Sequence, residues 1–210
     1  MNLDDILEYI TADHSNCSEV EKQKKCSQVR TIAAGAGAAL ALVPMPFADI
    51  WTITPVQYLM VRAIGNIYGY KISENSVGEI VAVIGGGFLG QQTILALFKI
   101  GLPGAGGFFG SAFVYGWTFG MGKSAELYFA SGMTATKDDL KRARESGAKE
   151  GEKTYRENEV KDAELKSRIQ NMLKMGLNKE QIIYAIWNVT ASDNTYEKFE
   201  IEFRRLTDSF

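Results

Sequence analysis

Hydrophobic and polar positions divide the chain into a polar start, a long charge-poor middle and a charged end. Leu3, Ile6, Leu7 and Ile10 recur at helical spacing behind an acidic start, which predicts a short amphipathic helix over 3–11. Ser18 and Glu21 have the spacing of a capping box, so a second helix opens near Ser18. It runs on through Thr31 to Val43, which is almost all Ala, Gly, Leu and Val. Pro44 and Pro46 stop it, because proline lacks the backbone donor and pushes the residue before it out of helical geometry. Asp49 is placed to cap the next helix, which extends to about Tyr68 with Gly69 as its stop. These segments form a helical hairpin with a Pro-Met-Pro turn.

The pattern repeats in outline further on. Ile80 to Phe98 is nineteen residues without a charge and Ile100 to Gly122 is twenty-three, with Gly101-Leu102-Pro103-Gly104 at the join. A second helical hairpin follows, long enough in each arm to cross a hydrocarbon layer. The arms of the first hairpin are marginal for that, so re-entrant or surface insertion competes with full spanning. Small residues recur four apart at Gly86 and Gly90, at Gly106 and Gly110, and at Ala112, Gly116 and Gly120. Such spacing lets two helix backbones approach closely, in lipid or in a tightly packed protein core.

After Gly132 the character changes. Thr136 and Asp139 open a charged helix, which Glu159 to Leu173 continues with Leu165, Ile169, Met172 and Leu173 as a narrow apolar stripe. Gly176 ends it. Asn178 and Gln181 cap a short helix bearing Ile182, Ile183 and Ile186, and a last helix places Phe199, Phe203 and Leu206 on one side. The stripe reads as the private core of a small module. The expected organisation is therefore all-α: polar helices over 1–30, a Gly-rich two-hairpin domain over 31–132, and a charged helical module over 133–210.

Charge sharpens this division. Between Thr31 and Gly122 lie only six charged residues, Asp49, Arg62, Lys71, Glu74, Glu79 and Lys99, together with seventeen of the twenty-one glycines. A stretch so poor in charge either lies in lipid or is buried on all sides. The net charge of -2 offers no field for nucleic acid, and the run Lys141 to Lys161 balances seven cations with five acids, as a solvated helix does. Asp4, Asp5 and Glu8 near the start argue against a secretory signal, which predicts a cytoplasmic location. Cys17 and Cys26 match no metal spacing, and His14 does not complete a zinc set, so two free thiols are expected.

Three motifs suggest chemistry that their surroundings do not support. Gly85 to Gly90 satisfies the dinucleotide fingerprint, but no acid to hold a ribose occurs between Glu79 and Glu126. Gly116 with Gly122-Lys123-Ser124 resembles a phosphate loop, yet five residues separate the glycines where four are needed, and Trp117 and Phe119 would crowd the anion. It reads instead as the end of an apolar helix, with Lys123 reaching water. Asp49 could serve as a buried proton or cation site, although helix capping is the simpler account. With one histidine and no carboxylate dyad, the residues supply neither a catalytic constellation nor a cofactor site.

The run Val43-Pro44-Met45-Pro46-Phe47-Ala48-Asp49, followed by Gln57, Met60, Arg62 and Tyr68-Gly69, resembles the first half of the YcjF-like family of uncharacterised bacterial domains. Lys99, Pro103-Gly104-Ala105-Gly106, Thr118, Gly120, Ala125 and Tyr128-Phe129 resemble its second half. The resemblance covers about residues 31–130 and implies a helical, membrane-associated domain that works with a small GTPase. Its recurrent positions fall here on Pro44, Pro46, Asp49, Pro103, Gly104, Thr118 and Gly120, each of which also has an ordinary structural role.

Together these features lead to an expected non-enzymatic accessory or scaffold protein on the cytoplasmic face of a membrane. Its expected partners are lipid, a small GTPase and further copies of itself. A soluble oligomerisation module with hairpins buried between subunits is the second reading, ahead of a pore-forming protein and a nucleotide-binding enzyme. In the membrane reading, Lys24, Lys25 and Arg30, the connection from Arg62 to Glu79, and Lys123 onward share the water-facing side.

Overall fold

The structure, a computed structural model, describes residues 3–41, 48–85 and 106–208. Among them every regular element is an α-helix: α1 Leu3–Thr11, α2 Glu19–Ala41, α3 Ala48–Ile67, α4 Glu74–Gly85, α5 Gly106–Ala130, α6 Lys137–Lys174, α7 Lys179–Trp187 and α8 Tyr196–Thr207. The all-α expectation holds. None of these helices is long and apolar enough to cross a membrane. The turns at Pro44 and Pro46 and at Pro103 and Gly104, and the pair Gly86 and Gly90, lie outside the described residues.

Local signals in the sequence set most helix ends. Ser18 and Glu21 close a reciprocal box at the start of α2, where Ser18 N donates to Glu21 Oε2 at 2.8 Å and Glu21 N donates to Ser18 Oγ at 3.3 Å. Thr136 and Asp139 do the same for α6, and Asn178 and Gln181 for α7. Gly69 and Gly176 stop α3 and α6 in left-handed conformations, with φ of 86° and 83°. After α3, Tyr70 N reaches back to Gly65 O at 2.9 Å; after α6, Leu177 N reaches Met172 O at 3.1 Å.

Several expected boundaries move. The apolar run from Ile80 belongs to a helix that begins earlier, at Glu74, and α5 continues past Gly122 to Ala130. Buried tertiary contacts carry α5 through Lys123, because Ser124, Ala125 and Phe129 on its far side are all buried. Helix α3 begins at Ala48, so Asp49 sits inside its first turn and not in the preceding capping position. Leu7 and Leu173, assigned to apolar stripes, are exposed.

The chain forms two compact units, Met1–Tyr155 and Arg156–Phe210, with the division inside α6. In the first unit, Ile6, Cys26, Val29, Met60, Ile64, Ile67, Val81, Ile84, Met121 and Phe129 build the main core. Ala34 and Ala38 of α2 accept the rings of Tyr115 and Phe119 from α5, small residues facing large ones. This unit includes the start of α6 because Leu140, Arg144, Gly147 and Gly151 pack into it. In the second unit, Ile169, Ile182, Ile183, Phe203 and Leu206 make a private core, with Leu165, Met172, Ile186 and Phe199 against it.

The cap on α7 gives the second unit a specific test. Asn178→Ala removes the bond from Gln181 N to Asn178 Oδ1 (2.9 Å) and is expected to cost about 1 kcal/mol in thermal or urea unfolding.

Candidate functional site

Helix α5 organises the first unit. From Gly110 to Gly122 only Phe113 and Trp117 keep partial exposure, so this charge-free helix is enclosed by protein. It runs antiparallel to α2: Ala41 clusters with Val114, Ala34 and Ala38 with Tyr115 and Phe119, and Arg30 pairs with Glu126. It runs parallel to α3: Gln57 meets Thr118, Met60 lies at Gly122, and Gly65 lies at Phe129.

Two polar contacts are sealed between these helices. Arg30 is 4% exposed, donates from Nη1 to Glu126 Oε2, and places its guanidinium 5.2 Å from the centroid of Phe119. The expectation that Arg30 faces water is therefore corrected. Gly122 makes room for the pair, since a Cβ there would lie 2.6 Å from Arg30 Cδ. Cys26 is fully buried in the same core; burial first, and the Glu126 carboxylate second, push its thiol up to about 12, so it is a neutral packing group. Farther along, Gln57 Nε2 donates to Thr118 Oγ1 at 3.2 Å with both residues fully buried, and the Oε1 end of that amide has no partner.

On its other side α5 crosses the first part of α6 through glycines. A Cβ on Gly151 would lie 2.9 Å from Gly116 Cα, and one on Gly147 would lie 2.9 Å from Gly120 Cα. Gly116 and Gly120 therefore face a second four-residue glycine pair. Gly147 and Gly151 were hidden in a charged segment, and their spacing was the signal that could have revealed them. Beside this crossing, Ile84 O of α4 accepts from Arg144 Nη1 at 2.8 Å and Ser124 Oγ at 3.3 Å, so α5 and α6 both hold α4. Ser124 and Gly122 are thus packing groups inside a helix. Lys123 is half-buried, with its Nζ 3.3 Å from Glu150 Oε2.

The other marked positions separate clearly. Thr118 and Gly120 lie two residues apart on α5 and face different neighbours, Gln57 of α3 and Ala148 of α6, while Gly110 is buried nearer its start. Gly106 is the first described residue of α5, and Asp49 lies within α3. The run Ile80–Ile84 and Gly85 are helical, so the strand that a dinucleotide fingerprint requires is not present there.

The shared register gives the unit a polar axis. The end of α2, the start of α3 and the start of α5 lie at one end. Toward it, α2 has no charge from Thr31 to Ala41, α3 has only Asp49 from Ala48 to Val61, and α5 has none from Gly106 to Gly122. The outward positions of α2 there are Thr31, Gly35 and Ala39. Toward the opposite end, the same helices carry Glu19, Glu21, Lys22, Lys24, Lys25, Arg62, Lys123 and Glu126. The candidate site is the charge-poor end, which also joins the apolar connections 42–47 and 86–105 in sequence.

Gly120→Ala is expected to destabilise by about 1–3 kcal/mol in denaturant unfolding, because its methyl would lie 2.8 Å from Ala148 N and backbone cannot step aside cheaply. Gly35→Ala, with nothing within 4 Å of the added carbon, should stabilise by about 0.4–1 kcal/mol. In the buried pair, Glu126→Gln should cost about 3–5 kcal/mol by leaving Arg30 uncompensated, whereas joint Arg30→Met and Glu126→Leu should recover most of the loss.

Residues 11–149 match the sequence model of a domain of unknown function, DUF697. The matched region is well over half of the chain and takes in α2 to α5 and the start of α6, so the protein belongs to the DUF697 family. No curated protein and no solved structure matches the chain.

Proposed function

We propose that this DUF697 chain is a non-enzymatic, membrane-associated accessory protein whose first unit meets the bilayer with its charge-poor end. The observation behind this reading is the convergence of three charge-poor helix ends, with Asp49 their one charged residue, on one end of the unit. The sequence joined there adds to it: Leu42 to Phe47 has no charge, and Gly86 to Ala105 has Lys99 alone among Phe88, Leu89, Ile94, Leu95, Leu97 and Phe98. Apolar side chains that leave water gain free energy, at roughly 25 cal/mol per Å² of area removed. The charged opposite end, with Lys24, Lys25 and Arg62, then faces water.

The resemblance to YcjF-like domains supplies the partner in this proposal, a small GTPase, with the second unit as its docking module. Any nucleotide hydrolysis belongs to that partner. The second reading, a scaffold whose charge-poor ends pair between copies, is favoured by the outward row Thr31, Gly35 and Ala39, which is small enough for close helix approach.

Flotation with neutral phosphatidylcholine vesicles tests the proposal. The chain is expected to float in high salt and to lose about tenfold in bound fraction with joint Leu95→Asp and Leu97→Asp, while its helical circular dichroism is kept. A chain that stays with the dense fraction and forms a defined oligomer in detergent-free buffer would overturn the membrane reading in favour of the second.

A further inference from the structure

The opposite, polar end of the first unit contains a cleft of about 1040 Å³ between the end of α1, α2 and the turn after α3. Three cations from separate elements line it: Lys22 of α2, Arg62 of α3 and Lys71 of the following turn. The acid among the lining residues is Asp13, and its carboxylate accepts Ser15 N–H at 2.9 Å, which holds it below the usual carboxylate range. We propose that this cleft is a binding site for a phosphate-bearing anion, held by Lys22, Arg62 and Lys71.

The present partners of the cations are easily displaced. Lys22 Nζ lies 2.8 Å from Glu19 and Arg62 Nη1 lies 3.1 Å from Glu74, but those carboxylates are 66% and 84% exposed, and exposed pairs contribute little. Arg62 Nε is buried without a hydrogen-bond partner, so its guanidinium has donor capacity left over. A planar guanidinium flanked by two ammonium groups suits phosphate oxygens, which accept several charge-assisted bonds at once.

Two helix C-termini border the cleft, and unsatisfied carbonyls there would oppose an anion. They are largely occupied. Asn66 Nδ2 donates to Tyr9 O at 3.0 Å and to Ala12 O at 2.9 Å, and His14 Nε2 lies 3.1 Å from Tyr9 O. At the end of α3, Gly65 O and Asn66 O accept from Tyr70 N and Gly69 N. The cations are therefore free of the task of neutralising these ends. The volume exceeds that of bare phosphate and accommodates a phosphate ester with an organic body, for which the half-buried Tyr68 offers a lining surface.

The test is thermal unfolding of the full chain with inorganic pyrophosphate against sodium chloride of equal ionic strength. Wild type is expected to gain about 3 °C when pyrophosphate is tenfold above its Kd. Joint Arg62→Gln and Lys71→Gln should abolish the gain, while Lys198→Gln in the second unit should keep it. No gain in wild type, or an equal gain in the Arg62/Lys71 variant, would overturn the proposal. Vesicles with and without phosphatidic acid separate the two sources of phosphate. Binding that needs phosphatidic acid, Arg62 and Lys71 would support the site with a lipid headgroup as its ligand, and would place this end toward the membrane.

Discussion

Enclosure of α5 by protein is the constraint from which the rest of the first unit follows. A helix surrounded on all sides has no water to satisfy a polar atom and no room for a side chain of arbitrary size. Three of its polar side chains reach neighbouring helices, Glu126 to Arg30, Thr118 to Gln57 and Ser124 to Ile84 O of α4, while Trp117 Nε1 is buried without a partner. Its glycines mark where other elements come nearest, at Gly116 and Gly120 against α6 and at Gly122 against Arg30. Each contact fixes axial register as well as distance, so α2, α3 and α6 cannot slide along α5 without stranding a buried group.

That fixed register turns a sequence property into a spatial one. Charge-poor stretches of three helices, far apart in the chain, come to lie at the same level because one helix runs opposite to its two neighbours' shared direction. The unit acquires a charged end and a charge-poor end, which underlies both proposals. The apolar end is read as a membrane contact, and the cleft at the charged end as a place for a phosphate-bearing anion. The division follows from antiparallel packing and does not depend on any single residue.

The second unit is built differently. Its core is small, with Ile169, Ile182, Ile183, Val189, Phe203 and Leu206, and local devices carry much of its definition. Asn178 and Gln181 bond reciprocally at the start of α7, and Arg205 joins α8 to α6 through Asp162 Oδ2 at 2.7 Å. Such features are short-range or rim contacts, in keeping with a module that was easily recognised from helical spacing.

The sequence by itself determined the all-α class, the caps at Ser18, Thr136 and Asn178, the stops at Gly69 and Gly176, and the apolar stripe of the second unit. These depend on residues within a turn or two of one another, where backbone geometry and hydrogen-bond reach leave few choices. Only the tertiary structure decided that Arg30 is buried, that Gly147 and Gly151 answer Gly116 and Gly120, and that Lys123 interrupts no helix. The same structure gathered Lys22, Arg62 and Lys71 around one cleft. The physical reason is that a charge or glycine has the same local signature in water and in a core, and its meaning is set by what another helix brings to it across a long stretch of chain.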